Sequence, residues 1–196
     1  LKRVISELKQ SDAILFIDEV NRCRPDVLQS LFQLVLDRRV GSYVFPSHSY
    51  IICAGNLGEN DMTSVIEMDS ALNNRFMHFF LESVVKETTK YFRKKGYSKH
   101  IIAFLEAKPN YHLKTPDNED ERAWPSPRSW ENLAIVVADY LADDKNINIK
   151  GTMDFATACV GNAASGEFGK YLQTLVIISP VDILNNYEKI KAKFKK

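Results

Sequence analysis

The stretch Ile14-Leu15-Phe16-Ile17-Asp18-Glu19 constrains what this chain can fold into more than any other. Four large apolar residues in succession, without the polar breaks of an amphipathic helix, predict a strand buried on both faces. The run ends in two acids, which places Asp18 and Glu19 at the carboxyl edge of that strand, where open α/β sheets bind ligands. One carboxylate there is enough to hold Mg²⁺, directly or through its waters. The next can orient and deprotonate a water aimed at a phosphate. A core strand running into a solvated acidic turn has the same local pattern, so the weight of the reading rests on what the rest of the chain adds.

A helical pattern over Leu1 to Leu8 and a turn at Ser11-Asp12 come first, so the chain opens inside what reads as a helix and its natural start is expected upstream. After the loop Asn21 to Pro25, apolar residues from Val27 to Leu36 recur at intervals of three and four, the mark of a helix with one buried face. Val40 to Phe45 and Tyr50 to Ala54 are β-rich runs, and Pro46-Ser47-His48-Ser49 between them reads as a hairpin-like connection. The second run is apolar throughout, which suits a central strand, and it ends in Gly55-Asn56. Gly-Asn after a strand is most often a plain turn, yet Asn56 also offers donors and an acceptor to a water or a phosphate oxygen.

Asp69-Ser70 reads as the cap of a short helix over Ala71 to Asn74, and Met77 to Leu81 as a third strand. Helical patterns follow over Ser83 to Lys95 and from Ser98 to the stop at Pro109. After the charged loop Lys114 to Arg122 they resume over Ser129–Leu141, Met153–Gly161, Glu167–Ile178 and Val181–Lys195. The expectation is an α/β chain in two parts, a sheet-containing 1–83 and an all-helical 84–196.

Charge and cysteine content narrow the function. A net charge of +1 gives no general attraction to nucleic acid or anionic membranes, and the lysine-rich end from Lys189 to Lys196 reads as a solvated helix end. Cys23, Cys53 and Cys159 are odd in number and lack a C-x-x-C spacing, which suits a reducing cytoplasm and no zinc site. His48, His78, His100 and His112 have no metal-ligand spacing. No apolar run approaches the length of a membrane span, and the first residues lack a signal-peptide pattern.

The order strand-Asp-Glu, helix, hairpin, strand-Asn, short helix, Arg-Phe, helices, Pro-Arg resembles the AAA+ ATPases, and most closely their MoxR type. Ile14 to Glu19 is similar to the Walker B strand, Gly55-Asn56 to the sensor-1 tip and Leu72 to Phe76 to the arginine-finger segment. Trp124-Pro125-Ser126-Pro127-Arg128-Ser129-Trp130 is similar to the start of the sensor-2 helix, and the similarity runs from about Ser11 to about Leu184. The resemblance implies a partial AAA+ parallel-sheet core followed by a helical lid domain. It implies ATP and Mg²⁺ as cofactors, with Asp18 holding the metal, Glu19 polarising the attacking water and Asn56 helping to position it. Arg75 is implied as a finger reaching the neighbouring subunit's site, and Arg128 as a contact to the γ-phosphate. It also implies self-association into a ring, expected to be a hexamer, a von Willebrand factor A domain protein as partner, and remodelling or activation of partner proteins in the cytoplasm.

The plain alternatives are that Arg75 is a surface residue before a strand, and that Arg128 pairs with Glu131 or another acid. One departure from the family is definite. The sequence contains no G-x-x-x-x-G-K-[ST], the loop whose N–H groups and Lys cradle the phosphates. The chain therefore resembles the C-terminal portion of such an ATPase and is expected to be inactive by itself. A non-hydrolysing assembly module of the same ancestry is the alternative.

Overall fold

In the computed structural model, described residues are 14–56, 65, 66, 68, 70–116, 121–143, 146–177 and 187. The expected features at Leu1–Leu8, Ser11-Asp12 and Asp69, and the helix over Val181–Lys195 apart from Tyr187, lie outside them. The chain is mixed α/β, with a small parallel sheet and several helices, and divides into two compact units, Leu1–Phe80 and Leu81–Lys196, against an expected boundary after residue 83. Among the described residues no helix is long and apolar enough to cross a membrane.

In the first unit, β1 (Ile14–Ile17) leads through a 3-10 turn at Val20–Arg22 into α1 (Pro25–Asp37). Helix α1 has Pro25 where its missing N–H costs nothing, and Asp26 in the first turn faces the positive end of the helix dipole. The chain leaves α1 at Arg38, whose φ of 51° is left-handed, and turns back through the short hairpin β2 (Arg39–Val40) and β3 (Tyr43–Val44), with Gly41 at φ 57°. Strand β4 (Tyr50–Cys53) then pairs parallel with β1, in the register Ile14↔Tyr50 to Ile17↔Cys53.

This connectivity corrects the expected hairpin. The turn lies at Gly41, whose backbone suits it, while Pro46–Ser49 carries the chain across to β1. The Arg38 guanidinium fastens that crossing, because Nη2 donates to the Pro46 carbonyl at 2.7 Å, to Ser49 Oγ at 2.9 Å and to the Ser49 carbonyl.

Two further expectations are overturned. Strands β1 and β4 are covered on one face only: Leu15, Ile17 and Ile51 pack with Leu34, Phe45, Leu31, Val40 and Tyr43. The other face, Ile14, Phe16, Tyr50 and Ile52, stays exposed, because among the described residues the sheet has two strands and its covering cluster lies on one side. Met77–Leu81 is not a strand; it follows α2 (Ser70–Asn73) unpaired, with Met77 85%, Phe79 80% and Leu81 96% exposed. An apolar run becomes a strand only where backbone partners exist, and among the described residues this one has none.

The second unit is helical, with α3 (Val85–Lys95), α4 (Lys99–Ala107), α5 (Pro127–Val136) and α6 (Ile149–Ile177). Gly96 ends α3 in a left-handed C-cap at φ 73°, and Ser98 caps α4 by accepting from the His100 N–H. Helix α5 begins at Pro127 behind a Ser126–Ser129 capping box, and a separate 3-10 turn takes up Asp139–Leu141. Both expected helices, 153–161 and 167–178, are present with longer spans, and Ile178 lies outside the described residues: the segment Ile149–Ile177 is two helices that meet at Gly161 (φ 77°, ψ 171°). A Cβ there would lie 2.4 Å from the Ala123 carbonyl oxygen, so both backbone and space require glycine. Phe92, Phe104, Trp130, Leu133 and Phe168 centre a core that, among the described residues, is far larger than that of the first unit.

His112 is buried in this unit, with Nε2 2.8 Å from Thr88 Oγ1, and burial holds its pKa below the ordinary 6.5. A depressed histidine pKa favours the folded state while the ring is neutral. That stabilisation is complete above about pH 6.5 and is lost as pH falls through the lower folded value. Trp124 and Trp130, the only tryptophans, both report on this unit. Between about pH 7 and pH 5 the tryptophan-detected urea midpoint should fall, and His112→Gln should flatten that slope. An equal slope in the variant would assign the effect to other groups. The depressed Glu106 carboxyl, held low by Arg93, titrates below its ordinary 4.5 and lies outside this window.

Candidate functional site

The parallel pairing continues past the strand ends: the Ala54 N–H donates to the Ile17 carbonyl at 2.8 Å and the Val20 N–H to the Ala54 carbonyl at 2.9 Å. Asp18-Glu19 and Gly55-Asn56 therefore leave the sheet at the same carboxyl edge, on neighbouring strands. Glu19 is the sharp point of the turn, with φ 51° and ψ 41°, a left-handed conformation uncommon for a residue with a Cβ. Three local interactions support it. Its N–H donates to Asp18 Oδ1 at 2.9 Å, its carbonyl accepts from the Arg22 N–H at 2.9 Å, and its Oε1 lies 3.2 Å from Arg22 Nη1. The last pair is exposed and worth little in energy, so Glu19 stays free to exchange it for a water.

Asn21 ties the two tips together. It is 8% exposed, its Nδ2 donates to the Asn56 carbonyl at 2.7 Å, and its Oδ1 accepts from the Asn56 N–H at 3.1 Å. Its own carbonyl accepts from the Ile66 N–H at 2.7 Å. A side-chain amide here takes the place of one more rung of the ladder, fixing the backbone of Asn56 against the acidic turn. Gly55 makes room for it, since a Cβ at that position would lie 2.8 Å from Asn21 Oδ1. Sequence alone gives Asn21 no role of its own, because no periodicity marks an amide that bridges two strand tips.

Arg75 follows α2, where Leu72 is fully buried as an anchor. The Arg75 N–H donates to the Leu72 carbonyl at 3.0 Å and its guanidinium to the Ala71 carbonyl, while the residue stays exposed. Among the described residues no hydrogen bond or ion pair joins it to Asp18, Glu19 or Asn56. Arg128 stands in the first turn of α5 in the other unit, exposed and without an ion pair among the described residues. Glu131, considered above as its partner, accepts instead from Tyr91 OH at 2.8 Å and Tyr97 OH at 2.9 Å. The hydrogen bond to Glu131 raises both phenols above their ordinary pKa of 10.0.

Among the described residues no group of three or more His, Cys, Asp or Glu side chains could hold a metal ion. Asp18 is a single exposed carboxylate, and a hydrated Mg²⁺ commonly takes one or two carboxylates from protein. The sequence holds no phosphate-cradling loop of the pattern G-x-x-x-x-G-K-[ST]. Cys23, Cys53 and Cys159 are free thiols. A scan of protein-family models found no match to the chain, and no curated protein or solved structure matches it either.

Removing the Asn21 amide leaves the Asn56 N–H and carbonyl without their partner, at a cost of about 1–3 kcal/mol to the first unit. Asn21→Ala should therefore speed hydrogen exchange at Asn56 and leave the tryptophan-detected transition of the second unit unchanged. Gly55→Ala should do the same by pushing the amide out, and the double variant should be no worse than either single one. Additive effects, or an Asn56 amide indifferent to both changes, would contradict the clamp.

Proposed function

We propose that this chain carries the hydrolytic part of an ATP site, as the C-terminal portion of a MoxR-like AAA+ ATPase that works as a cytoplasmic ring and remodels or activates partner proteins. The observation that supports it most is the parallel β1–β4 pair, which carries Asp18-Glu19 and Gly55-Asn56 to one edge and locks them through Asn21. A carboxylate pair and an amide on adjacent strand tips suit the attack of water on a phosphoryl group.

In this reading Asp18 would hold Mg²⁺, which when bound would offset negative charge on the phosphates of ATP. Glu19 accepts a proton from the attacking water, while Asn56 helps to fix that water. The water oxygen bonds to the γ-phosphorus as the bridging P–O bond breaks and ADP leaves. Arg75 neutralises charge on the transferring group in the adjacent subunit, and Arg128 supplies charge toward the γ-phosphate. The phosphate cradle comes from sequence other than these 196 residues. A von Willebrand factor A domain protein is the partner the resemblance suggests.

The exposure of Met77, Phe79, Phe80 and Leu81 supports a second reading, an assembly module without turnover. Subunit mixing separates the two in assemblies that contain the phosphate loop. Glu19→Gln keeps size and hydrogen bonding but accepts no proton, and Arg75→Ala removes the charge needed next door. Arg75→Ala should lose at least about 10³-fold in turnover, and Glu19→Gln about 10²- to 10⁴-fold. Mixed assemblies should regain activity, because some interfaces pair an intact Glu19 with an intact Arg75. Inactive mixtures, with subunit exchange demonstrated, would contradict a finger acting in trans; full activity of Glu19→Gln would remove the hydrolytic role itself.

A further inference from the structure

We propose that Tyr91 and Tyr97 are positioning residues: together they hold the Glu131 carboxylate away from Arg128 and so keep the Arg128 guanidinium open to an anionic group. The proposal rests on the reading of Arg128 as a phosphate contact. Arg128 and Glu131 stand three residues apart on α5, the spacing at which opposite charges on a helix meet. They do not pair. Glu131 Oε1 instead accepts from both phenols, at 2.8 and 2.9 Å.

The fold gives each phenol a separate reason to be there. Tyr97 follows the left-handed Gly96 cap, donates its N–H to the Phe92 carbonyl at 3.0 Å and meets the buried Phe92 ring edge to face at 5.4 Å. Tyr91 lies on the last turns of α3, with Lys95 Nζ 5.6 Å from its ring centroid. Arg128, Glu131 and Tyr91 line one cavity of about 410 Å³, which Glu82 and Glu87 also line. Glu87 has Lys90 at 3.7 Å. With two further carboxylates already on the wall, a third turning onto Arg128 would close the cavity to anions; two hydroxyl donors on Glu131 prevent that turn.

The test reads Arg128 directly and uses no nucleotide. Its Nε–Hε signal is followed by ¹⁵N NMR, with Arg128→Lys identifying the resonance. In Tyr91→Phe/Tyr97→Phe the released Glu131 should pair with Arg128, moving the signal and slowing Nε–Hε exchange a few-fold, as suits an exposed ion pair. Adding Glu131→Gln should return the signal to its wild-type position, a rescue that a merely structural loss would not give. The single change Tyr91→Phe, at an exposed ring, should give a smaller shift in the same direction and serves if the double variant unfolds. An Arg128 signal indifferent to loss of the phenols would overturn the proposal. So would an equal shift from Glu131→Gln alone, because Arg128 and Glu131 would then be paired already. Failure here leaves the hydrolytic reading of Glu19 standing, and failure of subunit mixing leaves the tyrosine clamp standing.

Discussion

One buried amide governs the first unit. Two parallel strands cannot be joined by a tight turn, so the tips of β1 and β4 reach the same edge only because the chain crosses through α1 and the β2–β3 hairpin and returns. Once there, nothing in the strand ladder holds Asn56, and the Asn21 side chain does so with one donated and one accepted bond. Arg38 does similar work at the other end of β4, fixing Pro46 and Ser49 while its own Nε is buried without a partner among the described residues. The carboxylate turn and the Asn56 tip are thus positioned by polar ties in a unit whose apolar core is small among the described residues.

That contrast in cores shapes the rest. The second unit has a dense aromatic centre, with Phe104 5.4 Å from Trp130 and 5.1 Å from Phe168, and the Trp130 indole N–H donates to the Tyr111 carbonyl at 2.8 Å. The first unit buries Leu34 and Phe45 and leaves Ile14, Phe16, Tyr50 and Met77 in contact with solvent. A lightly packed sheet edge depends more on hydrogen bonds such as those of Asn21 than on packing, and those are the bonds most sensitive to substitution.

Much of this was legible in the sequence. The apolar run into Asp18-Glu19, the second run into Gly55-Asn56 and the Gly96 and Ser98 signals all mark elements that form where the residues indicate. What failed was whatever depends on neighbours. Whether β1 is buried on one face or two, and whether Met77–Leu81 pairs, is decided by backbone and side chains elsewhere, and the local pattern carries no information about them. The bonds made by Asn21, Tyr91 and Tyr97 are illegible for the same reason: their partners lie 35, 40 and 34 residues away in sequence. The roles assigned to Arg75 and Arg128 come from resemblance, with local geometry showing two exposed guanidinium groups.

The central claim is that these residues supply the hydrolytic part of a nucleotide site without its phosphate cradle. Calorimetric titration of Mg·ATP tests it most directly, first into the 196-residue chain and then into the chain combined with a segment bearing G-x-x-x-x-G-K-[ST]. The account predicts no tight binding in the first case and low-micromolar binding in the second. Low-micromolar affinity of the chain alone, or none with the loop present, would contradict it.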